Sequence, residues 1–77
     1  MTRDELNELK WQEISPLIDN LIYEFQNKKM SDKFGYIKYC WEELEKLLIS
    51  YDLPNETFKK LNVDYRKEIE TRISELK

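Results

Sequence analysis

The chain has no histidine and no alanine, and only one cysteine, one glycine, one valine and two prolines in 77 residues. Each scarcity excludes something. Without histidine the usual general base at neutral pH is missing. Serine triads, Cys–His dyads and the Glu-x-x-His pairs of di-iron bundles go with it. One cysteine cannot close an internal disulfide, and a lone Cys without His does not build a structural zinc site. The longest wholly apolar run is Leu47-Leu48-Ile49, far short of the roughly 20 residues of a membrane span. The polar start, Met1 to Leu9, lacks the apolar run of a signal peptide. We therefore expect a cytoplasmic protein that is not an enzyme, with no cofactor, no metal, no membrane partner and no small-molecule substrate.

A chain this short buries only about 60% of its unfolded surface, so residues 1–77 should form one helical domain of modest stability. Charged residues make up 38% of the chain and the net charge is −3. That gives solubility and leans away from a dedicated nucleic-acid binder. Lys, Ile, Asn, Tyr and Glu are frequent. Such a bias suits AT-rich coding sequence, as in a phage, a mobile element or a low-GC bacterium.

What is present is helical periodicity. Tyr36, Ile37, Cys40, Trp41, Leu44, Leu47, Leu48 and Tyr51 recur at spacings of one, three and four, and make one broad apolar face. Around this central helix the rest of the chain falls into place. Thr2-Arg3-Asp4-Glu5 is a capping box, so a helix should start near Arg3. Ser15-Pro16 then interrupts, because proline inside a helix loses a hydrogen bond and crowds the carbonyl four residues back. Ile14, Leu17, Ile18, Leu21, Ile22 and Phe25 share a face, whereas Leu6 and Leu9 lie about 80° or more out of phase with it. We expect a break or sharp kink near residues 13–16.

Lys28 to Ser31 reads as a turn, with Ser31 or Asp32 capping the central helix. Phe34 is in phase with Trp41. Leu53-Pro54 ends that helix, and Asn55 should cap the last one. Phe58, Leu61, Tyr65, Ile69, Ile73 and Leu76 step at the period of a straight helix. The predicted fold is all-α: a small antiparallel three-helix bundle with an N-terminal helical arm, with helices at about 3–13, 16–28, 32–51 and 55–76. The arm should pack across the bundle or dock on another chain.

Candidate functional residues are those the core does not explain. Cys40 lies mid-helix on the apolar face, where burial raises a thiol pKa, so it should be core filler. Glu42, Glu43 and Glu45 form an acidic patch that reads as a solvated face. Trp11 lies on the arm with Leu6 and Leu9. Tyr23, Tyr39 and Ile49 point off the core faces, Tyr23 on a side shared with Met30 and Tyr39 beside Glu42 and Lys46. Tyr39 and Ile49 are either covered by another helix or the arm or form a partner site. Val63 is also off the core face. Aromatic residues are enriched at protein interfaces. Lys59, Lys60, Arg66, Lys67 and Lys77 line the outside of the last helix with Glu70 among them, and the turn lysines Lys28, Lys29 and Lys33 could extend that strip. On the edge of the same helix, Glu68 and Arg72 are placed for a favourable i,i+4 pair.

We expect a small non-enzymatic protein-binding module: an inhibitor, an immunity or antitoxin-type protein, or a phage accessory factor. Its contact residues would be Trp11, Tyr23, Tyr39 and Ile49 with Glu42 and Glu45. One alternative is a nucleic-acid binder using Lys59, Lys60, Arg66 and Lys67, a partner class the acidic balance disfavours. The other is a structural homo-oligomer.

Overall fold

The computed structural model describes residues 2–28 and 31–76; expectations placed on Lys29, Met30 and Lys77 lie outside them. Helix α1 (Arg3–Glu8) runs into a π-helical segment (Leu9–Ile14), which runs into α2 (Ser15–Lys28); α3 (Lys33–Ser50) and α4 (Asn55–Ser74) follow. The start of α3 meets the end of α4 where Lys33 Nζ donates to Leu76 O at 2.5 Å. The α2–α3 pair is likewise antiparallel, with Tyr36 OH donating to Leu21 O at 2.6 Å. Asp19 of α2 reaches Arg72 of α4 at 2.9 Å. The result is an up-down-up bundle of three helical stretches.

The largest difference from the sequence reading is at the arm. Residues 8, 9 and 15 all keep right-handed helical angles. The chain does not break at Ser15-Pro16. It widens. The Ser15 N–H bonds to Lys10 O, five residues back. A π turn takes one more residue than an α turn, and such bulges relieve local strain in a helix. The segment ends just before Pro16, where an α-helical carbonyl at Gln12 would meet the proline ring.

The extra residue also repairs the phase. At about 100° per residue, one inserted position rotates Leu6 and Leu9 by about 100° relative to the face of α2. That brings them onto it. Leu9 is buried, and Leu6 packs against the same core. The arm therefore lies on its own bundle. Residues 3–28 at about 1.5 Å each make a rod of about 39 Å. This matches the long dimension of the molecule, 39 Å against 19 Å across.

One core joins all the elements. Ile14, Ile18, Cys40, Leu44, Leu48, Ile69 and Ile73 are fully buried, with Leu21, Ile22, Phe25, Tyr36, Ile37 and Leu61 nearly so. Trp41, Leu47, Tyr51, Phe58, Tyr65 and Leu76 are partly covered at its edge. Phe34 does not join them. It is 81% exposed, at the first turn of α3.

The caps refine the boundaries. Thr2 Oγ1 accepts the Glu5 N–H at 3.2 Å, the forward half of the expected capping box. Asp32, not Ser31, caps α3 by accepting the Gly35 N–H at 3.0 Å. Asn55 does not cap α4. It is the first helical residue, and Pro54 O receives the Phe58 N–H at 2.9 Å. Pro54 holds φ −57 and ψ 146; its ring fixes φ and leaves the helix to begin one residue later.

Candidate functional site

The helix faces settle where the off-core residues go. On α3, Tyr36, Cys40, Leu44 and Leu48 face inward. Helical spacing then puts Tyr39, Glu42, Lys46 and Ile49 on the outer strip. Tyr39 is 45% and Ile49 65% exposed, and neither the arm nor another helix covers them. Glu42 is exposed beside them. These three expected contact residues do come together along one strip.

The other three do not join it. Glu45 turns toward α4, where its Oε2 stands 3.7 Å from Arg66 Nη2. Tyr23 lines a different groove, between α2 and α4, with Asp19, Gln26, Arg72 and Glu75. Trp11, 74% exposed, sits on the π-helical segment. Phe34 is the exposed aromatic that sequence reasoning missed. Its spacing from Trp41 put it on the covered side, yet it is left exposed.

The basic strip of α4 is interrupted. Arg66 is engaged at the α3–α4 seam: its guanidinium lies 5.2 Å from the centre of the Trp41 ring, and its Nε donates to Asn62 at 3.1 Å. Trp41 Nε1 in turn donates to Arg66 O at 3.2 Å. Lys59, Lys60 and Lys67 remain exposed, but Glu56, Val63 and Glu70 share their face. Lys33 is spent on the end of α4. Arg72 pairs across the bundle with Asp19 and not with Glu68 along its own helix.

The seam between the first long helical stretch and α3 is open at three successive recesses. Next to the α2–α3 turn is a recess of about 620 Å³ with Tyr36 and Tyr39 on one wall and Glu24 and Lys28 on the other. One turn further along, Pro16, Leu17 and Asn20 face Glu43, Lys46 and Leu47. This part shares Gln12 and Glu13 with the last, where Glu5, Glu8 and Leu9 face Tyr51. The aromatic wall is well fixed. Phe25 and Tyr36 rings are 5.0 Å apart, and Tyr36 meets Tyr39 edge-on at 5.6 Å.

The titrating groups nearby are restrained. Burial, with Cys40 and Glu24 adding negative charge, pushes the Tyr36 hydroxyl up to about 12. Burial and the carboxylates of Glu43 and Glu24 push the Cys40 thiol up to about 12, so it stays protonated at neutral pH and is a poor nucleophile. At the far end, desolvation and then Glu13 raise the Tyr51 hydroxyl. Among the described residues no three Cys, Asp or Glu side chains converge to hold a metal ion. Among them, too, no helix is long and apolar enough to cross a membrane. Compared with family models, with curated proteins and with solved structures, the chain finds no match in any of the three.

Proposed function

We propose that this chain is a small non-enzymatic protein-binding module that acts by covering or recruiting another protein, in the manner of an inhibitor, an immunity or antitoxin-type protein, or a phage accessory factor. The observation that carries this reading is the outer strip of α3. Tyr39 and Ile49 stand exposed there with Glu42 between them, although the bundle has a complete core without them. An exposed aromatic and a β-branched residue ringed by charge match the anchor-and-rim anatomy of protein interfaces. The strip also adjoins the groove, so a partner seated on Tyr39 can reach both.

The test is affinity capture from native host lysate with the wild-type chain and with Tyr39→Asp and Ile49→Asp. Both side chains lie outside the core, so the variants should keep the wild-type melting profile. A stoichiometric protein captured by the wild type and lost with either variant supports the reading. A capture that returns no protein refutes it.

A further inference from the structure

We infer that the groove between the first helical stretch and α3 receives a cationic amphipathic helix, which lies along it as a fourth helix. The inference rests on the protein-binding reading above and names the chemistry of the partner. The argument is charge, shape and length together. Glu5, Glu8, Glu13, Glu24, Asp32 and Glu43 line the groove, against Lys28 and Lys46. Six carboxylates and two lysines give −4, more negative than the whole chain at −3. Among the described residues only Glu43 of the six has an ion-pair partner, Lys46 at 3.5 Å. Neither Lys28 nor Lys46 comes within ion-pair distance of the other five. Carboxylates without a partner of their own are complementary to a bound positive charge.

The floor is apolar. Leu17, Leu47 and Tyr39 are open along it, with the buried Leu9 and Tyr36 beneath its two ends. Carboxylates on the rims of an apolar trough match a helix that carries an apolar stripe flanked by Lys or Arg. The trough follows the seam between two antiparallel helical stretches. Alongside α3, of 18 residues, it accommodates about five turns of helix, or about 27 Å. A flexible polycation would use the charge and not the floor. An acidic or neutral helix would use the floor and meet the carboxylates. A cationic amphipathic helix uses both.

The probe is a synthetic 18-residue peptide, about five turns, with leucines at helical spacing and lysines on both flanks. Two companions accompany it: the same peptide with glutamates for lysines, and the same peptide with serines for leucines. Binding is read by fluorescence titration and mapped by amide chemical shifts. The Leu/Lys peptide should bind at least tenfold more tightly than either companion, and should weaken several-fold when ionic strength is raised from low salt to about 0.5 M, where the screening length becomes short. Shifts should fall along Glu13, Asn20, Tyr39 and Glu43. The triple variant Glu13→Gln, Glu24→Gln, Glu43→Gln should lose at least fivefold in affinity with an unchanged melting profile. Lys59→Gln with Lys67→Gln, on the far face, should lose nothing. Equal binding of the glutamate peptide, shifts centred elsewhere, or an unaffected triple variant would each overturn the assignment. If a captured host partner is lost with Ile49→Asp but bound normally by the triple variant, the groove assignment fails while the protein-binding reading stands.

Discussion

Leu9→Ala tests whether the arm is part of the bundle. Leu9 is 4% exposed and belongs to the core that holds α2, α3 and α4. Truncation to alanine removes three buried carbons, worth about 2.4 kcal/mol at about 0.8 kcal/mol each. A residual cavity adds to that, and measured Leu→Ala losses run from about 2 to 5 kcal/mol. Leu9 lies near one end of the rod, where the helix can settle into the space, so about 2–3 kcal/mol is the expected loss. A domain of this length has about 4–12 kcal/mol in total. For so small a domain each kcal/mol moves the midpoint by about 4–8 °C. Thermal unfolding followed by far-UV circular dichroism should therefore show a drop of about 10–20 °C. Trp11→Ala is the control on the same π-helical segment, since Trp11 is 74% exposed, and it should stay within about 0.5 kcal/mol of wild type. If the first helical stretch kept α spacing throughout, Leu9 would face solvent and the two variants would behave alike. Equal melting temperatures for Leu9→Ala and Trp11→Ala would refute the register shift and the docking of the arm together.

Two further expectations follow from buried groups and caps. Tyr36 and Cys40 both have folded pKa values raised to about 12 from ordinary values of 10.0 and 9.0. Both groups are neutral when protonated, so the unfolded chain loses these protons first as pH rises. Their contribution is intact below about pH 9 and is lost between about pH 9 and 12. Urea midpoints should fall across that window, and fall less steeply in Tyr36→Phe and Cys40→Ala; parallel slopes would contradict the burial argument. In the same vein, the Cys40 thiol should be silent to a disulfide reagent at pH 8 until urea is added. Gly35 gives a sign reversal. A Cβ there would run into the Asp32 carboxylate that caps α3. In the wild type, Gly35→Ala gains about 0.5–1 kcal/mol of helix propensity and loses a cap worth about 0.5–2 kcal/mol. It should be neutral to destabilising. In an Asp32→Ala background the cap is already gone, and the same change should stabilise by about 0.5–1 kcal/mol. The same sign in both backgrounds would show that the glycine is not there to make room for the cap.

Periodicity located the three long helical stretches and nearly all of the core, because buried side chains must repeat at the helical period whatever they pack against. The arm shows where that reasoning needs one more step. Leu6 and Leu9 out of phase with Ile14 and Ile18 was a real signal, and with Pro16 nearby it reads naturally as a break. A π insertion gives the same phase slip without one. The two readings separate only when Leu9 has a core to enter, and that core is completed by α3 and α4, far along the chain. Phe34 and Asn55 failed for a related reason. Phase alone does not say which neighbour covers a residue at the first turn, and Phe34 is left exposed; the fixed angles of Pro54 decide where α4 begins.

Helix phase put Tyr23, Tyr39 and Ile49 off the core faces, but did not say whether the arm or another helix covers them, nor which way Trp11 on the arm would turn; all four are exposed. Their grouping was not legible either. Tyr23 and Tyr39 look equivalent in sequence, yet they line different grooves because α2 contacts α3 on one side and α4 on the other. Charge is hidden in the same way. Along the chain, acids and bases alternate in mild blocks and sum to −3. Folding then places Glu5, Glu8, Glu13 and Glu24 on one wall of the seam and Glu43 on the other. With −4 in the groove and −3 in all, everything outside it sums to +1. The net charge of −3 therefore resides in the seam, on a body that is otherwise nearly neutral. The inferred cationic helix would meet that charge along one line of the surface, where Leu17, Leu47 and the exposed Tyr39 also lie.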